Sequence, residues 1–255
     1  MTTTTTIDLT LSPPVNLRDL GGIPVDGGVV RTGFALRSDD LSTITPEDAA
    51  ALVRDGLTAV IDLRSNAEVA VTGRGPLASL PVAYHHLPLM ADIGRSLDGK
   101  SFVPGHEAMG EMYARMVRDA APQLVTALNV IAHAPGATAF HCAAGRDRTG
   151  VLAAVLLLVL GATDDDVVSD YARTGPNMAA VLERSRPLMA AMFAAFDLPD
   201  DAASTSTLLD GSMDVSMRIL LDRLRGEHGD PLALLRAAGL SADTTARLRA
   251  RALAA

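Results

Sequence analysis

The stretch that decides the fold is His141-Cys142-Ala143-Ala144-Gly145-Arg146-Asp147-Arg148-Thr149-Gly150, which follows the apolar segment Ala137–Phe140. The segment before it is typical of a buried strand, and the almost wholly apolar segment after it, Val151–Leu160, is typical of a buried helix. A short loop between a strand and a helix can direct its backbone N–H groups at a tetrahedral oxyanion. The stretch therefore predicts a phosphate-binding loop in an α/β fold.

The side chains of this loop predict chemistry as well as binding. Cys142 is the only cysteine of the chain, and Arg148 stands six positions after it. The loop N–H groups and the arginine would keep Cys142 as a thiolate, and the planar guanidinium can hold two phosphoryl oxygens at once. This C-x5-R pattern is typical of cysteine-dependent phosphatases, whereas the alternative interpretation makes Cys142 an ordinary buried apolar residue.

Further roles follow from position in the loop. We expect His141 to orient the loop and the Thr149 hydroxyl to hydrogen-bond the Cys142 sulfur. Gly145 supplies conformational freedom where the backbone approaches the ligand. The residues predicted to bind phosphate are Ala143, Ala144, Gly145, Arg146 and Arg148.

Composition limits the class of protein. With 255 residues, of which 48% are hydrophobic, the chain can bury the core of one domain, predicted over residues 13–255 after a disordered tail, residues 1–12. A single cysteine excludes an intramolecular disulfide, and the threonine-rich start has no secretory signal, so we expect a cytoplasmic protein. The longest apolar run is too short for a membrane helix, and a net charge of -8 disfavours nucleic acid as a partner. Composition does not indicate the oligomeric state.

Strand-like and helix-like segments alternate over the first 160 residues. Strands are predicted at Val29–Leu36, Leu57–Ile61 and Val82–Leu87, with a helix over Pro46–Asp55. Helical spacing from residue 109 to residue 131 breaks at Pro122, and the chain beyond Gly161 is predicted to be helical. Alternation favours a central, mostly parallel sheet flanked by helices.

Asp62 and Arg64 lie at the predicted end of a strand. In parallel α/β sheets this edge binds ligands, so both residues are candidates for supporting the site. The alternative is a structural ion pair, because such pairs imitate functional clusters.

Several segments resemble one known family, the atypical bacterial tyrosine phosphatases. The resemblance extends in order over residues 16–150. It rests on Asn16–Gly22, Leu36–Ser38, Leu41–Glu47, Val60–Ser65 and His141–Gly150.

This resemblance implies a two-step mechanism through a phosphocysteine, without metal or cofactor, and a helical lid, for which residues 176–225 are the candidate. It also implies that Asp147, just before the arginine, protonates the leaving group. Asp62 and Asp92 are the reserve candidates for that acid. The chain differs from the family at Arg146, where a lysine is common.

Three functions remain open from the sequence. The first is a phosphatase of phosphoproteins, with phosphotyrosine as the leading substrate and dual or lipid specificity as a variant. The second is a phosphatase of a small metabolite such as a nucleotide or sugar phosphate, which the low aromatic content of 3% favours. The third is a phosphate-binding module without catalysis.

Overall fold

The computed structural model describes residues 11–90, 105–195 and 213–253. The predicted disordered tail falls almost entirely outside these ranges, as do Asp92 and the loop expected at residues 197–211. Within the described ranges, no helix is long and apolar enough to cross a membrane. The strands are β1 (Arg18–Asp19), β2 (Pro24–Val25), β3 (Gly28–Val29), β4 (Ala35–Ser38), β5 (Leu57–Asp62), β6 (Ala83–His86) and β7 (Ala137–His141).

Five of these strands form the central sheet in the order β1-β4-β7-β5-β6. All neighbouring pairs are parallel except the edge pair β1 and β4, so the prediction of a mostly parallel sheet is confirmed. β2 and β3 form a separate antiparallel hairpin. Strand β7, which leads into the phosphate loop, therefore lies at the centre of the sheet, with a paired strand on either side.

Helices account for most of the other described residues. In the chain, α1 (Pro46–Arg54) comes between β4 and β5, and α2 (Asn66–Thr72) comes between β5 and β6. The others are α3 (His106–Asp119), α4 (Ala121–His133), α5 (Asp147–Leu160), α6 (Asp164–Ala172), α7 (Met178–Ala195), α8 (Asp214–His228), α9 (Ala233–Ala237) and α10 (Ala242–Leu253). The expected break at Pro122 is confirmed: α3 ends before it, and the proline occupies the first turn of α4, where its missing N–H costs nothing.

Successive side chains of a strand point to opposite faces of the sheet, so the core has two layers, one on each face. Val60 and Ala139 face a smaller cluster that includes residues of α1. Ile61 and Phe140 face the main core, which contains α5 and parts of α3, α4, α8 and α10. Every residue of α5 after Asp147 is buried, so the helix behind the phosphate loop is enclosed on all sides.

The prediction of one continuous strand over Val29–Leu36 is wrong, because β3 ends at Val29 and β4 begins at Ala35. The chain leaves β3, turns at Gly33 and enters the central sheet only at Ala35. Gly33 has a φ of 74°, and its N–H donates to Asp19 Oδ2 at 2.7 Å. The turn interrupts a stretch that its sequence pattern alone predicts to be a single strand.

Candidate active site

The phosphate loop lies at the carboxyl edge of the parallel strands, between β7 and α5. Cys142 directly follows β7 and is 1% exposed. Gly145 has a φ of 68°, and a Cβ there would come within 2.6 Å of the backbone of Ser38 and Asp39. Glycine is needed at this position for both its conformation and its small size.

Three successive carbonyl groups of the loop are held from outside. Ala143 O accepts a hydrogen bond from Asp40 N at 3.1 Å, Ala144 O one from Asn16 Nδ2 at 3.2 Å, and Gly145 O one from Arg37 Nη2 at 2.9 Å. In a planar trans peptide the carbonyl and the following N–H point in opposite directions. The N–H groups of residues 144 to 146 therefore point inward.

The inward-facing N–H groups are available to a ligand. Across the described part of the chain, the backbone N–H groups of residues 143 to 148 have no protein acceptor. The first backbone bond of α5 is donated by Gly150 to Arg146 O. Free N–H groups at a helix N-terminus attract an anion, so the loop forms a cup suited to a tetrahedral oxyanion.

The residues that hold the loop belong to a buried ionic network. Arg37 is fully buried and pairs with the Asp170 carboxylate, which also accepts from Arg18 Nε at 3.1 Å. Arg18 Nη1 in turn donates to Asn16 Oδ1 at 2.7 Å, which orients the amide that reaches Ala144. The Asn16–Gly22 segment thus contributes to the site by positioning the loop backbone.

Arg148 forms a two-point ion pair with Glu68 on α2. Its Nη1 and Nη2 lie 2.5 and 2.8 Å from the two carboxylate oxygens. Burial alone would raise the pKa of Glu68, but the hydrogen bonds and charge of Arg148 outweigh it and hold that pKa below its ordinary value. Ser65 fixes Glu68 further through a capping box at the start of α2. The guanidinium plane is therefore set before any substrate binds.

His141 lies beneath the loop as a neutral ring. Burial lowers its pKa despite the nearby Asp62 carboxylate. Nδ1 lies 3.3 Å from both Leu41 N and Cys142 O, and Nε2 lies 3.7 Å from Asp62 Oδ2. This geometry suits the orienting role predicted for His141. The predicted hydrogen bond from Thr149 to the sulfur is not formed, because the buried Thr149 hydroxyl has no partner among the described residues.

Asp147 occupies the first position of α5, and its side chain is 29% exposed. Its Oδ1 accepts a hydrogen bond from the Tyr113 hydroxyl. Arg146, by contrast, is 1% exposed, with its Nε directed at Tyr171 at 3.3 Å. Its guanidinium is buried, and Nη2 has no hydrogen-bond partner among the described residues.

Asp62 and Arg64 form an ion pair in which every donor of the arginine is used. Asp62 is fully buried, and Arg64 Nη2 lies 2.6 Å from its Oδ2. The other oxygens that accept from Arg64 belong to Asp40, Ser42, Thr72 and Gly73. With no N–H left for a ligand, Arg64 fits the structural interpretation better than the binding one.

Helix α7, at the start of the predicted lid, is fastened beside the loop by Arg184. Arg184 Nη1 lies 2.7 Å from Asp39 Oδ2, and Nη2 donates to Asp40 O at 3.0 Å. The cavity between α7 and the loop, lined by Ala143 and Glu68 among others, has a volume of about 40 Å³. Neither Cys142 nor Arg148 is among its lining residues, so this cavity lies beside the phosphate cup.

Sequence reasoning missed several residues of this region. The capping pattern Ser65-x-x-Glu68 is visible in the sequence, but it does not reveal that Glu68 pairs with an arginine 80 residues away. Tyr113, Asp170 and Tyr171 lie on helices with no motif, so only the fold brings them to the loop.

The loop combines an anion cup, a buried cysteine and an arginine that is already fixed by Glu68. This combination is typical of proteins that transfer phosphoryl groups. The chain belongs to the tyrosine phosphatase family, whose family model matches residues 9–254, and it is a phosphoric monoester hydrolase.

Three relatives are similar over different shares of the chain. The triple specificity protein phosphatase PtpB of Mycobacterium tuberculosis is 27% identical, covering 92% of this chain and 95% of that protein. A putative tyrosine-protein phosphatase of Cupriavidus necator is 30% identical, covering 72% of this chain and 69% of its own length. A tyrosine-protein phosphatase of Nostoc commune is 31% identical over 54% of this chain, which spans 47% of that relative. A crystal structure of P. aeruginosa TpbA in complex with pTyr is 19% identical with a TM-score of 0.33, covering 74% of this chain and 86% of that chain.

Proposed function

We propose that this chain is a protein tyrosine phosphatase that works through a phosphocysteine intermediate. The observation that carries the proposal is the arrangement of the loop: three carbonyls are held outward, and six consecutive N–H groups have no acceptor among the described residues. Arg148, held by Glu68, supplies the fixed positive fork for the phosphoryl oxygens.

The proposed reaction has two steps. In the first, Cys142 Sγ attacks phosphorus, the bond to the leaving oxygen breaks, and Asp147 gives its proton to that oxygen. In the second, Asp147 takes a proton from water as the water attacks phosphorus and the P–S bond breaks. Inorganic phosphate and the free thiolate are released. The N–H groups of the cup stabilise the charge on the equatorial oxygens throughout.

Phosphate release from a substrate panel tests this proposal. The panel contains phosphotyrosine, phosphoserine and phosphothreonine peptides, phosphoinositides, nucleotides and sugar phosphates, all assayed in EDTA with Cys142→Ser as the control. The name of the mycobacterial relative, a triple specificity phosphatase, supports including more than phosphotyrosine. Preference for phosphotyrosine would support the proposal, preference for a metabolite would replace it with the second candidate, and no release would leave a binding module.

For Asp147→Asn we expect a loss that depends on the leaving group. Hydrolysis of a phosphotyrosine peptide, whose leaving tyrosine has a pKa of about 10 and needs a proton, should fall by roughly 10²- to 10⁴-fold, the usual contribution of a positioned acid. Hydrolysis of p-nitrophenyl phosphate should change little, because p-nitrophenolate leaves without protonation. Steady-state kcat for both substrates is the measurement. Equal slowing of the two would transfer the acid role to another residue. Of the two reserve candidates, Asp62 is ruled out because it is fully buried and paired with Arg64, which leaves Asp92.

A further inference from the structure

A hydrogen-bonded row of side chains runs behind the loop and ends on Asp147. Arg146 Nε donates to the Tyr171 hydroxyl at 3.3 Å, the hydroxyls of Tyr171 and Tyr113 are 2.7 Å apart, and Tyr113 bonds to Asp147 Oδ1. The two tyrosines lie on α3 and α6, and their rings meet edge to face at a centroid distance of 6.0 Å. Both are at most 1% exposed.

The direction of each bond in this row is fixed. Arginine only donates, so the Tyr171 oxygen accepts from Arg146. Because the Tyr113 hydroxyl donates to Asp147 Oδ1, the bond between the two tyrosines is donated by Tyr171. Burial first, and then the negative charge of Asp147, holds the pKa of Tyr113 well above its ordinary value, so the O–H remains a donor.

The two oxygens of Asp147 are consequently unequal. Oδ1 receives the Tyr113 proton and lies 3.6 Å from Arg146 Nε, whereas Oδ2 has no hydrogen-bond partner within the described residues. A proton carried by the neutral carboxyl group therefore belongs on Oδ2. The side chain is partly exposed beside the cup, so Oδ2 is the oxygen that can face a leaving group.

We propose that Tyr113, backed by Tyr171, is a positioning residue that orients Asp147 to deliver its proton from Oδ2. The proposal rests on the proposed function of Asp147 as the acid. When the proton leaves Oδ2, the resulting carboxylate keeps the hydrogen bond from Tyr113, which stabilises it at the moment it forms. When water attacks the phosphocysteine, Oδ2 is the oxygen that recovers the proton.

The last glycine of the loop motif serves this arrangement. A Cβ on Gly150 would lie 2.9 Å from two carbons of the Tyr171 ring. The helix therefore needs a residue without a side chain at this position to let the ring approach Tyr113. Gly150 lies inside α5 and has no positive φ, so its role here is steric.

Tyr113→Phe tests the proposal because it removes one hydroxyl and keeps the ring. We expect kcat for phosphotyrosine peptide to fall about tenfold, part of what a positioned acid contributes, while kcat for p-nitrophenyl phosphate stays within about twofold. In the Asp147→Asn background the same substitution should have no further effect, because residues that act through one another are not additive. Tyr84→Phe is the matched control: it also removes a hydroxyl that donates to an aspartate, here the buried Asp62, but it lies outside the row.

Each outcome decides the question. A change in the ratio of the two rates for Tyr113→Phe, absent in Tyr84→Phe and in the Asp147→Asn background, supports the proposal. Equal slowing of both substrates, or the same loss with and without Asp147, overturns it and leaves Tyr113 a packing residue. If the wild type releases phosphate from neither substrate, the proposed function itself fails, and with it the role of Tyr113.

Discussion

Cys142→Ser is expected to abolish phosphate release while inorganic phosphate still binds. A serine hydroxyl stays protonated at neutral pH and is a far weaker nucleophile than a thiolate, so the loss in kcat should be on the order of 10⁶-fold, as when the nucleophile of a hydrolase is removed. The cup itself is built from backbone groups held by Asn16, Arg37 and Asp40, none of which contacts the sulfur through those bonds. Binding should therefore persist.

Arg148→Ala is the contrasting variant, and it should lose turnover and binding together. Arg148→Lys keeps the charge but not the two-point fork, so we expect intermediate phosphate affinity. Steady-state kinetics and calorimetric titration with phosphate measure the two properties separately. Residual turnover by the serine protein above its own heat-inactivated control would contradict the covalent mechanism.

The second large effect is expected at Glu68, on both stability and activity. Replacing it by alanine leaves the Arg148 guanidinium, which is 9% exposed, without its counter-charge. Removing one partner of a buried ion pair usually costs about 3–5 kcal/mol of the free energy of unfolding. Turnover should fall as well, because the arginine loses the contact that fixes its plane. Urea unfolding at neutral pH measures the first effect and kcat/KM the second.

The same ion pair predicts a pH dependence with a definite sign. Because the pKa of Glu68 in the folded protein lies below its ordinary value of 4.5, its contribution to stability is complete above that value. The contribution is lost as the pH falls through the lower, folded-state pKa. The wild-type free energy of unfolding should therefore decline below about pH 4.5 more steeply than that of Glu68→Gln. Parallel declines in the two proteins would show that the pair does not stabilise the fold.

The sequence predicted those features that local pattern determines. Alternation and apolar runs identified β5, β7 and α5, and the loop motif identified Cys142 and Arg148 as candidates before any geometry. The turn at Gly33 was missed because it depends on a hydrogen bond from Gly33 N to Asp19, 14 positions earlier, which no window of hydrophobicity contains.

The surroundings of the loop were beyond sequence reasoning for a different reason. Asp170 and Tyr171 lie on α6, and Tyr113 lies on α3, in segments whose sequence is that of ordinary amphipathic helices. Their importance arises from the fold, which places them beneath one loop. Arg146 illustrates the converse: its sequence position suggested a ligand-facing cation, and packing against Tyr171 turned the guanidinium inward.

The outward carbonyls of the loop link anion binding to the folding equilibrium. Two of their donors stand 128 and 108 positions from the carbonyls they hold, so the cup exists only when distant parts of the chain have come together. An anion that binds the cup but not the unfolded chain shifts the equilibrium towards the native state by mass action. At a free concentration a hundred times its dissociation constant the shift is about 2.7 kcal/mol. If the cup binds phosphate as proposed, inorganic phosphate is expected to act both as a product inhibitor and as a stabiliser of the folded state.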